Sequence, residues 1–166
     1  MRAADICSLY DYHYWANGRI MAALAQVEHV RFVAPAAVPW GSLRGTLIHL
    51  LWSEVNWLAR WEGRPTVPRF MEEACPTNAD LRAGWATSEA VLRAFLATLD
   101  DARPDNRFGY TRTSGEPRSQ IFWKLLVHIV NHGTQHHTEA ALFLTRYGAS
   151  PGDIAPHLSP LGQPDR

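Results

Sequence analysis

Two histidines at helical spacing are the residues of this sequence best suited to chemistry. His132 and His136 are four residues apart in the stretch Asn131–His137, so a helix there would present both imidazoles on one face, where they can bind one metal ion. Position 133 is glycine, so the glutamate that follows the first histidine in helical zinc proteases is missing, and that chemistry is excluded. Gly133 and Thr134 are poor helix formers in an otherwise strong helix, a conflict that favours a functional position.

A third metal ligand has to come from another helix, and His49 is the first candidate. It interrupts the most apolar run of the chain, Leu47–Trp52, where an imidazole without a partner would be costly to bury. An ordinary core histidine bonded to an oxygen is the alternative, but beside the helical pair we expect a ligand. His13 is the rival. Its neighbours Asp11 and Tyr14 indicate an amphipathic segment, so we expect His13 at the surface or at a pocket rim.

Three neutral imidazoles on one divalent ion would leave a fourth coordination position for water, as in catalytic zinc sites. The metal would lower the pKa of that water, or of a bound thiol, and so produce a nucleophile near neutral pH. Zinc and nickel both suit imidazole ligands, and the ligands alone do not choose between them. Glu139 shares the helix face of His132 and His136, as do His128 and Gln135. Glu139 is the candidate catalytic residue: it can orient a ligating imidazole, act as a base or bind the metal, and an ordinary exposed glutamate is the alternative.

Four long helices are predicted to position these residues, from apolar spacing and from end signals. Asp5, Ser42 and Thr77 are the predicted N-terminal caps, and Asp80 completes a capping box with Thr77. Gly148 is the stop signal of the last helix. The predicted bounds are residues 4–26, 42–62, 77–99 and 119–147.

The connections between these helices favour crossovers. Prolines interrupt residues 35–39, and residues 64–76 carry three prolines and no periodic pattern. Residues 103–117 show a faint hairpin signal, and the tail after Pro151 reads as mostly irregular. We therefore predict an all-α fold, a four-helix bundle with long crossover connections, as a single domain over residues 1–166.

Composition excludes several classes of protein. Sixteen basic residues balance sixteen acidic ones, so a nucleic-acid partner is not expected. The two cysteines, Cys7 and Cys75, have neither the density nor the spacing of a disulfide framework, which fits a reducing cytoplasm. The N-terminus lacks the apolar core of a secretory signal, and no segment is long enough for a membrane span. Triad, phosphate-loop and dinucleotide motifs are also missing from the sequence.

Three segments, in order and at suitable separations, resemble the DinB family. Residues 12–17, Tyr-His-Tyr-Trp-Ala-Asn, resemble its Tyr-x-x-Trp-Ala-Asn element. Residues 46–51, with Glu54 and Trp57, resemble its histidine motif in the second helix, and residues 131–136 resemble its most recognisable signature. The resemblance covers nearly the whole chain.

This resemblance implies a four-helix bundle with up-down-down-up topology, often dimeric, in which His49, His132 and His136 hold one divalent metal. Relatives include S-transferases that use low-molecular-weight thiols such as bacillithiol or mycothiol, and the mycothiol-dependent maleylpyruvate isomerase. The family commonly has Arg-Gly-Gln after the second signature histidine, where residues 137–139 of this chain are His-Thr-Glu. Recognition of an anionic substrate by that arginine is therefore not carried over to this chain.

The leading hypothesis is a cytoplasmic, homodimeric metalloenzyme, a hydrolase or thiol S-transferase, that acts on a small molecule with water or a low-molecular-weight thiol cosubstrate. The alternative is a non-catalytic, metal-stabilised helical bundle that acts in a stress response or as a dimeric interaction protein. Seven tryptophans allow a third hypothesis, a partner-binding module built on tryptophan-rich faces.

Overall fold

A computed structural model describes residues 1–68 and 72–155 and shows a mostly helical protein, as the spacing predicts. Within these residues, no helix is both long enough and apolar enough to cross a membrane. The five α-helices of the described residues are α1 Ala3–Leu24, α2 His29–Phe32, α3 Leu43–Trp61, α4 Asn78–Leu96 and α5 Phe122–Arg146.

One small antiparallel sheet accompanies the helices. Strand β1, Arg107–Thr111, pairs with strand β2, Pro117–Ile121, and Gly109 lies opposite Ser119. The predicted hairpin is therefore present. The protein is mostly helical but also contains this two-stranded sheet. Two single-turn 3-10 helices complete the described elements, at Glu72–Ala74 and Arg103–Asp105.

The helix caps agree with the sequence at two of three positions. The Ser42 hydroxyl accepts a hydrogen bond from a backbone N–H of the first turn of α3 at 2.8 Å. Thr77 and Asp80 form the predicted capping box of α4. Asp5 is not the cap of α1: the N-cap is Arg2, and Asp5 is the third helical residue, whose carboxylate accepts from the Arg2 backbone N–H at 3.1 Å. A carboxylate can satisfy the end of a helix from either position, so composition alone did not distinguish them.

The start of α5 differs from the prediction by three residues. The predicted helix began at Ser119, but residues 117–121 form β2, and α5 begins at Phe122. The Phe122 backbone N–H donates to the Asn106 carbonyl at 2.9 Å, just where strand pairing ends. Backbone groups used in a strand ladder cannot also form helical hydrogen bonds, so the sheet delays the helix.

The end of α4 also differs from the prediction, and one short helix was not predicted. Helix α4 ends at Leu96 rather than near Leu99, because Thr98 closes the end with a tighter bond from its backbone N–H to the Phe95 carbonyl at 3.0 Å. Helix α2 was not predicted, since four residues are too few to show a period. Residues 151–155 have no regular structure, as expected, and the rest of the predicted irregular tail, residues 156–166, lies outside the described residues.

The long helices enclose two separate clusters of buried apolar side chains. Helices α1 and α3 each pack against both α4 and α5. One cluster draws on residues 20–24, 43–51, 81–85 and 140–144. The other draws on residues 6–14, 58–61, 92–96 and 122–130.

A layer of buried polar side chains separates the two apolar clusters. Every long helix contributes to this polar layer at the level where one cluster gives way to the other. Burial of polar groups costs free energy unless partners compensate it, so the layer is where function is to be sought. Its members are His13 and Asn17 of α1, Ser53, Glu54 and Asn56 of α3, Ser88 of α4, and His136 and His137 of α5.

Candidate metal centre

The structure brings His49 of α3 together with His132 and His136 of α5. The Nε2 atom of His132 lies 3.0 Å from Nε2 of His49 and 3.1 Å from Nε2 of His136. His49 and His136 are 9% and 4% exposed, and His136 belongs to the polar layer. Among the described residues, this metal-site cluster is the one group of three or more His, Cys, Asp or Glu side chains that can hold an ion.

The three Nε2 atoms have few protons to share among themselves. A neutral imidazole has one N–H and one lone pair. Glu139 engages Nδ1 of His136 at 2.8 Å, which directs that N–H to the carboxylate and leaves the lone pair on Nε2. Nε2 of His132 carries at most one hydrogen, so it can donate to only one of its two imidazole neighbours. A cation would instead bind the Nε2 lone pairs of all three histidines at once. Tetrahedral bonds of 2.0–2.1 Å would hold ligand nitrogens roughly 3.3 Å apart, close to the arrangement here.

Electrostatics keeps the central imidazole in its neutral form. Burial, followed by the nearby His136 and His128 rings, lowers the pKa of His132 to about 4, although the Glu139 carboxylate acts in the opposite direction. Burial also lowers the pKa of His128. A neutral imidazole is the form that binds metals, so near neutral pH no proton has to leave His132 before an ion can bind.

An aromatic side chain fixes the His49 ring. The Trp40 indole stacks on this imidazole with ring centroids 3.6 Å apart and an interplanar angle of 11°. Gly45 in the first turn of α3 permits this approach, because a Cβ there would lie 2.0 Å from the Trp40 carbonyl oxygen. Sequence reasoning missed Trp40, whose only signal was its place between Pro39 and Gly41 in a predicted helix break.

Glu139 is positioned to orient a ligand. Its Oε2 contacts Nδ1 of His136 at 2.8 Å, and its Oε1 accepts a hydrogen bond from Gln135 at 3.3 Å. Of the roles considered from sequence, this geometry favours orientation of the imidazole. A carboxylate at this position fixes the tautomer and raises the basicity of the ligating nitrogen.

His13 belongs to a different, buried cluster, and the expectation of a surface or rim position was wrong. It is 1% exposed, and its Nε2 lies 2.6 Å from Oε1 of Glu54, which is itself 0% exposed. The Tyr14 hydroxyl donates to the other Glu54 oxygen at 3.2 Å. The amphipathic pattern around Asp11 concealed a buried face. Glu54 was the available signal, since a carboxylate inside an apolar helix needs a partner.

The glycine of the signature stretch is explained by this buried cluster. A Cβ at Gly133 would lie 2.2 Å from Cε1 of His13, so only glycine lets His13 approach α5 this closely. His137 is 1% exposed, with its ring centroid 5.2 Å from that of His13. Burial, followed by the His13 charge, lowers the pKa of His137 well below its usual value. The buried cluster therefore consists of His13, Tyr14, Glu54 and His137.

A cleft with a volume of about 450 Å³ lies beside the metal-site cluster. Trp52, one of its walls, has its ring centroid 6.3 Å from His49, and His128 has its ring centroid 6.0 Å from His132. A small molecule in this cleft would contact Trp52 and His128, which neighbour His49 and His132. The cleft lining is Trp52, Ser53, Asn56, Trp57, Arg60, Tyr110, Arg112, Thr113, Gln120, Lys124, Leu125 and His128.

Fold and site together define a helical protein with a three-histidine group that fits a divalent ion. The DinB family model matches residues 1–159 of the 166-residue chain. The chain belongs to the DinB family, and its three-histidine cluster fits a metal-binding member. No curated protein matches the chain.

Proposed function

We propose that this protein is a metal-dependent enzyme in which His49, His132 and His136 bind one divalent ion, zinc or nickel. The convergence of three Nε2 atoms carries this proposal, because His132 lies 3.0 and 3.1 Å from its two neighbours. The bound ion would supply Lewis acidity, which lowers the pKa of a water or thiol at the open position. The reaction is hydrolysis, or transfer of a low-molecular-weight thiol to an electrophile.

The protein residues around the ion have distinct tasks in this proposal. Glu139 holds the proton of His136 at Nδ1, so that Nε2 points toward the ion. Trp40 covers one face of the His49 ring and restricts its rotation. The cleft beside His128 and Trp52 admits the substrate. Glu139 can also accept a proton from the nucleophile, the catalytic role predicted from sequence.

The architecture and assembly of the protein are part of the same proposal. The mutual packing of α1, α3, α4 and α5 supports a four-helix bundle of up-down-down-up topology, as the family resemblance implies. The family match over residues 1–159 supports a single domain. We further propose a cytoplasmic homodimer, and light scattering on the purified protein tests the dimer.

Metal analysis of protein purified without an affinity tag and without added metal tests the site. We expect about one equivalent per chain in the natural protein and a loss of most of it in His132→Ala. His29→Ala, which removes an exposed histidine of α2, is the matched control and should keep its metal. Less than half an equivalent, unchanged in His132→Ala, would rule out the site.

A thiol-transfer assay tests the reaction. Small thiols are screened with 1-chloro-2,4-dinitrobenzene, where the thiolate sulfur forms the new C–S bond and chloride leaves. We expect turnover with at least one thiol and its loss after chelation or in His49→Ala. If no thiol reacts, hydrolysis of activated esters is assayed as the other proposed reaction.

A structural metal is the second candidate, because the three histidines link α3 with α5 and an ion would cross-link these helices. A thermal shift with and without chelator separates the two functions. Unfolding on chelation, together with no turnover of thiols or esters, would favour the structural ion.

A further inference from the structure

Two helix faces lead away from the metal-site cluster and form the walls of the cleft. On α3, Arg60 lies three turns beyond His49, and on α5, Lys124 lies two turns before His132. A rise of about 1.5 Å per residue places Lys124 ~12 Å from His132 along the helix axis, and Arg60 ~17 Å from His49. Because long side chains shorten these spans, a ligand that reaches from the histidines to both cations is an elongated molecule of roughly 10 Å.

Positive charge collects at the far end of this cleft. Arg60, Arg112 and Lys124 line it, and its lining in the described residues includes no Asp or Glu. Arg60 has a neutral partner, the Thr111 carbonyl, at 3.3 Å. Within residues 1–68 and 72–155, neither Arg60 nor Lys124 forms an ion pair, whereas Arg112 contacts Glu116 at 3.5 Å. Among the residues that the structure describes, Arg60 and Lys124 thus have no counter-charge.

Aromatic rings form the middle of the cleft. The Trp57 ring centroid lies 5.2 Å from that of Tyr110. The Trp52 indole N–H donates to the carbonyls of Val67 and Pro68, each at 3.1 Å, which holds this ring in place. Arg60 lies over the Trp57 ring, 5.0 Å from its centroid. Such fixed flat surfaces suit an apolar or aromatic ligand body.

We propose that the cleft binds a small organic acid, with its apolar body against Trp52 and Trp57 and its anionic group on Arg60 and Lys124. This inference rests on the proposed function in one respect, which is that the reactive end of the acid lies at the metal-site cluster. Binding of the anionic group does not depend on the metal. Charge-assisted bonds from a guanidinium and an ammonium recognise carboxylates and phosphates alike, so the anionic group can be either one.

Titration calorimetry with matched probes tests the recognition of charge. The probes are 4-phenylbutyrate and its neutral amide, 4-phenylbutyramide, added to zinc-loaded protein. We expect the acid to bind about tenfold tighter than the amide, with a preference that shrinks at high salt. The phosphonate with the same spacer, 3-phenylpropylphosphonate, distinguishes the two anionic sources, because it should bind tighter than the carboxylate if the natural ligand is a phosphate.

Removal of the two cations should abolish the preference. Arg60→Gln with Lys124→Gln should bind acid and amide equally, whereas Arg82→Gln, which removes an exposed arginine of α4, should behave as the natural protein. If the double variant does not fold, Lys124→Gln alone, at an exposed position, should lower the preference several-fold. Equal binding of acid and amide by the natural protein would overturn the proposal.

Metal-free protein separates this inference from the metal site. The titrations are repeated with chelator and with His132→Ala, and the acid preference should persist because the cations lie two or more turns from the histidines. An intact preference without metal binding would refute only the metal site. Full metal binding without a preference would refute only the acid site.

Discussion

The metal-site cluster and the buried cluster both contribute histidines to the polar layer, yet these histidines meet different partners. In the buried cluster, the His13 imidazole lies 2.6 Å from a carboxylate. In the metal-site cluster, the His132 imidazole lies 3.0 Å from another imidazole. The first contact is satisfied within the protein, and we propose that a bound ion satisfies the second. The comparison teaches that the partner, rather than the residue type, separates a structural histidine from a candidate ligand.

The two clusters also differ in their access to solvent and to the cleft. Glu54 and His13 are 0% and 1% exposed, whereas His49 and His132 lie beside Trp52 and His128, two residues of the cleft lining. A site that exchanges ions and substrates needs access, and a structural site benefits from its absence. The buried cluster should therefore control stability, and the metal-site cluster should control binding.

The largest effect should come from the buried cluster. Glu54→Gln removes the charge that faces His13 and Tyr14, and we expect a loss of about 3–5 kcal/mol in the free energy of unfolding. Thermal unfolding in chelator should show a fall in Tm of roughly 10 °C. His132→Ala under the same conditions should cost less than about 1 kcal/mol. Similar losses in the two variants would erase the proposed distinction.

Gly133→Ala tests the contact between α1 and α5. The new Cβ would lie 2.2 Å from the His13 ring, so the ring must move, at a cost of about 1–3 kcal/mol. Gly18→Ala is the matched control, since nothing lies within 4 Å of its Cβ and alanine favours a helix interior. Chemical denaturation should show a loss for the first variant and none for the second. Equal behaviour would contradict the packing role assigned to the glycine.

Glu139→Gln should weaken metal binding without destabilising the fold. The amide holds the His136 tautomer less firmly, and we expect zinc affinity to fall about 10- to 100-fold in a competition assay with a chromophoric chelator. Glu116→Gln, on the exposed hairpin, is the control and should not change affinity. An unchanged affinity in Glu139→Gln would mean that the carboxylate does not orient the ligand.

The smallest effect on stability should appear at alkaline pH, and it should come from the buried residues Tyr10 and Tyr14. Burial, followed by the Glu54 charge, raises the pKa of Tyr10 and Tyr14 far above the usual value. The unfolded chain releases these protons near pH 10, whereas the folded chain keeps them, so stability should fall as the pH rises above about 10. Phenolate absorbance from these two tyrosines should appear only with unfolding, and Tyr14→Phe should reduce that step. A phenolate signal from Tyr14 in folded protein would contradict the burial argument.

Much of the site could be predicted because its signals are local. The pair His132 and His136 follows from helical spacing, and His49 follows from an imidazole in an apolar run. His13 and Trp40 were missed or misplaced because their positions depend on partners remote in sequence. Burial of His13 depends on Glu54, 41 residues away, and the stack of Trp40 depends on how its loop meets α3.

The fold was predictable to a similar depth. Helices with strong caps, at Ser42 and Thr77, begin where the sequence indicates. The start of α5 was not predictable, since the residues of β2 differ from a first helical turn only through their pairing with β1. Such pairing is a property of the tertiary structure and leaves little trace in a single segment.

The position of the polar layer between two apolar clusters also fixes how the helices can slide along one another. A shift of one helix by a single turn, about 5.4 Å, would carry Glu54 or His137 into one of the two apolar clusters. The carboxylate or imidazole would then be buried without a polar partner. The polar layer therefore makes one axial register of the helices far more favourable than a register shifted by a turn.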